Sequence, residues 1–131
     1  MQTPGFSHVV LTVSNIARSR AFYGDLLGFT IKDMKWEDVE MFTFPVGDVA
    51  VWVLTHKQLA SGDRFSEFRV GLDHLAFKAT DEAALRALAD KLIAVGVDTK
   101  GVETYFTGNI YMAFRDPDNI QLEYWIDRAT E

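Results

Sequence analysis

Two stretches of the chain place apolar residues at every second position, and each then runs into a segment whose apolar spacing is that of a helix. In FSHVVLTVSN (residues 6–15), Val9, Leu11 and Val13 share one face and His8, Val10 and Thr12 the other. This predicts a half-buried strand over 6–13. Ser14 or Asn15 can cap the helix that follows, whose apolar stripe is Ile16, Phe22, Tyr23, Leu26 and Leu27 and whose stop is Gly28. In LDHLAFKATD (residues 72–81) the rhythm returns around His74, predicting a strand over 72–79. Thr80 or Asp81 then caps a helix carrying Leu85, Leu88, Leu92 and Ile93 on one side, and Gly96 stops it. Further strands are expected near 29–34, 40–46 and 49–56, and again near 97–103, 109–115 and 119–126. Asp116, Pro117, Asp118 and Asn119 supply turn chemistry between the last two, and Phe44 to Asp48 hold the matching place in the first half.

His8 and His74 lie half a chain length apart, so the order strand, helix and three strands occurs twice. The expected fold class is therefore α+β, with two tandem βαβββ modules in a single domain over residues 1–131. Module 1 spans about 5–57, a linker about 58–70 and module 2 about 71–127. The linker region KQLASGDRFSEFRVG is polar and holds Gly62 and Gly71. Its mixed charges from Arg64 to Arg69 read as a solvated loop.

Composition narrows the functions. A chain of 131 residues that is 48% hydrophobic can bury a core. Its 13 Lys and Arg are scattered among 19 Asp and Glu, a net charge of −6, which argues against nucleic acid as a partner. The longest apolar run, Val49 to Leu54, is too short to span a bilayer, and MQTPGFSH has no export signal. No membrane partner and a cytoplasmic location are expected. The absence of Cys removes thiolate nucleophiles and Cys-type zinc sites, so any metal must be held by imidazole and carboxylate.

Such a set is present. In the last strand Ile120, Leu122 and Tyr124 form the apolar face, so Gln121, Glu123 and Trp125 project to the side expected to carry His8 and His74. Two imidazoles and one carboxylate suit a divalent metal (Fe, Ni, Zn or Mn) with positions left open for a small-molecule substrate. Taken singly, a His or Glu is more often a satisfied, partly buried residue. Two His at equivalent places of a repeat, with a carboxylate that is costly to bury unpaired, reverse that balance. His56 shares the facing at the end of its strand, where it is a fourth ligand, a substrate contact or general base at the rim, or an uninvolved surface histidine. Aligning the turns instead places Trp52 opposite Glu123. Trp52, Tyr105 and Trp125 are candidate walls of a substrate cavity, although aromatic residues on strands more often belong to a core. Thr12, Lys78 and Gln121 share the facing of the proposed ligands. Gly96 to Gly101 lacks the Lys and Ser or Thr of a phosphate loop, and Ser61 and Ser66 sit in no nucleophile elbow.

HVVLTVSNIARSRAFYGDLLGF, GLDHLAF and FRDPDNIQLEYW together resemble the vicinal-oxygen-chelate superfamily: glyoxalase I, extradiol dioxygenases, fosfomycin-resistance enzymes, methylmalonyl-CoA epimerase and bleomycin-resistance proteins. The resemblance covers nearly the whole chain. It implies sheets curling into an open, cup-shaped mixed β-sheet around a metal, helices outside, and a homodimer. It carries the metal ligands onto His8, His74 and Glu123, and leaves a fourth family position to Trp52, to His56 or empty. Glyoxalase or lyase-like chemistry is the favoured expectation, with extradiol-type ring cleavage or metal-free, bleomycin-resistance-like sequestration as alternatives. Val10 and Ala113 stand where fosfomycin enzymes carry a threonine and a tyrosine, which disfavours that activity.

Overall fold

Strand β1 (His8–Thr12) forms because Leu11 is buried while His8, Val10 and Thr12 remain on the other face, the alternation of a strand covered on one side. Asn15 then caps helix α1 (Ile16–Arg20), its side chain accepting from the Arg18 N–H. The computed structural model describes residues 1–128 and divides into two units, Met1–Asp63 and the residues from Arg64 onward. Each unit is βαβββ with its own four-stranded mixed sheet, as expected from the repeat.

In the first unit β1 runs parallel to β4 (Val49–Leu54), which pairs antiparallel with β3 (Val39–Val46), and β3 in turn with β2 (Lys32–Trp36). The helix is not one regular α-helix. After Arg20 it widens into a π-helical segment, Ala21–Leu26, in which the Leu27 N–H reaches the Phe22 carbonyl. Gly24 in that segment packs against Ile31; a Cβ there would sit 2.8 Å from Ile31 Cγ1. The Phe29 N–H closes the helix end on the Tyr23 carbonyl, and the Phe29 ring stacks on Phe44 at 4.4 Å. Residues 29–31 are thereby committed to the helix exit, which is why β2 starts at Lys32 instead of near 29. Tyr23, Phe42, Phe44 and Val53 form the buried centre of this unit.

In the second unit β5 (Leu75–Lys78) runs parallel to β8 (Gln121–Ile126), followed by β7 (Ile110–Arg115) and β6 (Thr99–Thr104). Asp81 caps α2 (Glu82–Ala94) through the Ala84 N–H, and Gly96, at φ 81°, ends it with the Val97 N–H returning to the Leu92 carbonyl. Leu85, Ala89 and Leu92 of α2 are buried, as are Met112, Phe114 and Leu122 of the sheet. The Tyr124 ring stacks on Phe114, and burial raises its phenol to about 12.

Two strand limits beside candidate site residues differ from the sequence reading. β5 begins at Leu75, so His74 stands immediately before the strand; β8 starts only at Gln121, leaving almost nothing opposite residues 72–74 to pair with. β4 stops at Leu54, and the His56 carbonyl instead accepts from the Leu59 N–H in a turn. The segment 64–69 is a loop solvated only in part: Arg64, Phe68 and Arg69 are exposed, whereas residues 65–67 are half-buried. Glu67 forms a bidentate pair with Arg115 at 2.8 and 2.9 Å, the Phe65 N–H donates to the Asp118 carbonyl, and Asn119 Nδ2 donates to the Phe65 carbonyl. That turn is organised by the buried Asp116, whose Oδ1 accepts from the Asp118 and Ile120 N–H groups at 2.8 Å each.

Ser19 is completely buried on α1, and its hydroxyl has no hydrogen-bond partner. Burying a hydroxyl unpaired costs about 1–3 kcal/mol, so Ser19→Ala is expected to raise the unfolding free energy by about 1 kcal/mol in urea titrations. Glu67 is held at about 2, against its usual 4.5, chiefly by the hydrogen bonds from Arg115. Its folded value is depressed, so the pair stabilises above about pH 4.5 and loses that contribution as pH falls toward 2. The melting-temperature gap between wild type and Glu67→Gln should therefore close over that window, and a gap constant from pH 6 to pH 2 would show that the pair does not carry it.

Candidate metal centre

Glu123 is the residue around which the second unit's polar face is built. It lies mid-strand in β8 and is only 7% exposed. A carboxylate at that depth must be neutralised or hydrogen-bonded. Trp125 Nε1–H donates to Oε2 at 2.8 Å, and Gln121 Nε2 to Oε1 at 3.3 Å, both from the same face of the same strand. His74 Nε2 approaches the same Oε2 at 3.2 Å.

The other ring nitrogen of His74, Nδ1, is bonded to Asp73 Oδ1 at 2.6 Å. With the Nδ1 proton shared to Asp73, a neutral imidazole directs its Nε2 lone pair toward the Glu123 carboxylate. Two electron-rich atoms face each other across 3.2 Å, and either a proton on Nε2 or a cation between them makes the contact favourable. Donors bound to one first-row divalent cation at about 2.0–2.2 Å each lie about 3 Å apart, so the separation fits a shared cation. The Asp73–His74 bond is also the arrangement that fixes tautomer and ring orientation in metal-bound histidine.

His8 repeats half of this pattern in the first unit. Its Nδ1 lies 2.9 Å from Ser7 Oγ, so in both units the residue before the histidine occupies Nδ1 and leaves Nε2 as the ring nitrogen that can face another group. The strand registers define the remaining equivalences. Val9 pairs with Val51 in β1–β4 and Leu75 pairs with Leu122 in β5–β8, each one residue after its histidine. Trp52 is thus the first unit's counterpart of Glu123, and His56 lies beyond the strand. His56 lines a cavity of about 720 Å3 in the first unit together with Trp36, Val39, Met41 and Leu54.

The structure brings His74, Glu123 and Trp125 together within the second unit, with Tyr105 beside them. The Trp125 indole stacks on Tyr111 at 5.0 Å and meets Tyr105 edge-on at 5.1 Å. Tyr111 hydrogen-bonds Glu103, and burial with that carboxylate raises its phenol. A cavity of about 330 Å3 in the same unit is lined by Lys100, Glu103, Tyr111, Gln121 and Glu123. Among the described residues no three His, Asp or Glu are gathered as a metal-ligating group. Sequence reasoning missed Asp73, Ser7 and the hydrogen bond from Trp125. The Ser-His and Asp-His dipeptides were the available signal for the first two.

The glyoxalase/bleomycin resistance protein/dioxygenase superfamily model matches residues 5–124. The chain belongs to that superfamily. Similar crystal structures include a glyoxylase/bleomycin resistance protein/dioxygenase domain from Frankia sp. EAN1pec, 28% identical with a TM-score of 0.84, covering 97% of this chain and all of that one. A glyoxalase family protein from Enterococcus faecalis is 26% identical with a TM-score of 0.72, covering 93% of this chain and 97% of that one. A mutant of the fosfomycin resistance protein FosX from Listeria monocytogenes, complexed with Mn(II) and 1S,2S-dihydroxypropylphosphonic acid, shares the fold at 18% identity and a TM-score of 0.72, covering 97% and 95%. No curated protein matches the chain significantly. The superfamily contains lyases, dioxygenases and drug-resistance proteins, so membership alone leaves the chemistry to the site. No helix among the described residues is long and apolar enough to cross a membrane.

Proposed function

We propose that this superfamily member is a divalent-metal-dependent enzyme acting on a small oxygen-chelating substrate, with lyase- or glyoxalase-like chemistry. The observation that carries the reading is the Asp73–His74–Glu123 relay, in which a histidine with its Nδ1 engaged turns Nε2 onto a buried carboxylate 3.2 Å away. His74 and Glu123 hold the metal, and His8, with its Nδ1 engaged by Ser7, is the third donor. A bound cation would act as Lewis acid, polarising substrate oxygens and stabilising the negative charge that develops on them. Trp125 aims Glu123 by donating to Oε2, and Gln121 holds the other oxygen. Trp52 is the register counterpart of Glu123, and an indole has no lone pair to offer a cation, so the proton-handling role is assigned to His56 in this reading. The same reading includes a homodimer in the cytoplasm.

A second reading, metal-free sequestration of a ligand, is favoured by one observation: both oxygens of Glu123 already accept protein hydrogen bonds. Metal content separates the two. Protein purified without added metal is expected to carry Fe, Ni, Zn or Mn, to lose it in His74→Ala and His8→Ala, and to melt at a lower temperature after chelation, since a ligand bound only by the native state stabilises it. Equally little metal in wild type and variants would establish sequestration. Trp125→Phe keeps the ring on Tyr111 but removes the N–H, and should weaken metal binding by about tenfold or more in competition titrations, while the chelated protein melts at a lower temperature because the buried Glu123 carboxylate has lost a donor.

A further inference from the structure

The non-core face of the first unit's sheet ends in an apolar cavity whose lining, His56 apart, has no part in the proposed metal chemistry. Residues with the facing of His8 continue across the sheet as Trp52 and Leu54 on β4, Met41 and Val39 on β3 and Trp36 on β2, because Met41 pairs with Leu54 and Trp36 with Val39. Val39, Met41 and Leu54 are half-buried, and Trp36 is 73% exposed. They line the cavity of about 720 Å3, within the range of about 300–1,000 Å3 typical of small-molecule sites. An indole so exposed at the mouth of an apolar recess is the amphipathic ring that a bound ligand would cover.

Charge restricts the occupant. Glu37, Asp38 and Glu40 also line the cavity, against the single cation Lys57 and against His56. Glu37 is held at φ 53° in the two-residue turn between β2 and β3, a left-handed conformation that is costly for a residue with a long side chain. An anionic ligand would meet net negative charge at the rim and a cationic one would have to shed its hydration over an apolar lining, whereas an uncharged one buries apolar surface free of both costs.

We propose that this cavity binds an uncharged apolar or aromatic small-molecule group, with Trp36, Met41 and Leu54 as its principal contacts. That this group is the non-chelating portion of the substrate rests on the enzymatic reading above; the binding itself does not. His8 and Leu54 share one sheet face, on adjacent strands four residues apart in register, about 13 Å at strand rise, so a substrate spanning both would carry its apolar part at that remove from its chelating oxygens.

The test is a fluorescence titration of the full chain with the uncharged dye N-phenyl-1-naphthylamine, with chelator present so that metal occupancy plays no part. Saturable binding is expected, weakened by about tenfold in Met41→Glu, which places a charge in the recess, and severalfold in Trp36→Ala, at an exposed position whose change leaves folding intact. The anionic relative 1-anilinonaphthalene-8-sulfonate should bind about tenfold more weakly than the neutral dye. No saturable binding of the neutral dye would overturn the proposal, as would unchanged binding in Trp36→Ala. Tighter binding of the sulfonate would overturn the charge argument. If Trp36→Ala instead converts a dimer to a monomer by light scattering while dye binding is unaltered, a second copy of the chain covers this face and the ligand site is refuted. Dye binding by a protein that, as purified and before chelation, holds no metal would uphold the cavity while removing the enzyme reading.

Discussion

A carboxylate cannot be buried in the middle of a strand without something to balance it, and Glu123 is that carboxylate here. Desolvation penalises the ion, so the surrounding chain must return hydrogen bonds or charge. Trp125 and Gln121 supply them from two residues away on either side, which only a strand's alternation permits. The indole can do this because it is wedged between Tyr111 and Tyr105, so an apolar stack sets the direction of a polar bond. His74 completes the set, and its position just outside β5 leaves its ring free to be turned by Asp73.

The rest of the second unit keeps this geometry in place. β8 is aligned by the Asp116–Asn119 turn, whose backbone donors are taken by the Asp116 side chain. The turn is tied in its turn to residues 65–67, where Arg115 and Glu67 form two parallel hydrogen bonds with most of their surface withdrawn from water. A segment that connects the repeats therefore serves as part of the scaffold for the strand that carries Glu123.

The two units share topology and have divided the chemistry. Each keeps a histidine whose Nδ1 is held by its predecessor, Ser7 in one and Asp73 in the other. At the next equivalent place one unit has Glu123 and the other Trp52. The second unit's polar face thus offers donor atoms, while the first unit's extends into aliphatic and aromatic surface toward Trp36. Within a superfamily that recurs with many activities, this division is the feature on which the proposal of a substrate with a chelating end and an apolar end rests.

Hydrophobic alternation, helix caps and glycine stops determined the repeated βαβββ order, because those signals act over a few neighbouring residues. Asn15, Asp81, Gly96 and the Asp-Pro-Asp-Asn turn all behave as their local chemistry dictates. The same alternation put His8 and Glu123 on the non-core faces of their strands. Tertiary structure alone decided the rest. The π-helical widening at Ala21 to Leu26 sets Gly24 against Ile31, the pairing of Glu67 with Arg115 joins residues far apart in the chain, and the choice of Trp52 over His56 as the counterpart of Glu123 follows from strand register. Register and side-chain direction are settled by partners distant in sequence, and periodicity along one strand carries no information about which residue of another it will meet.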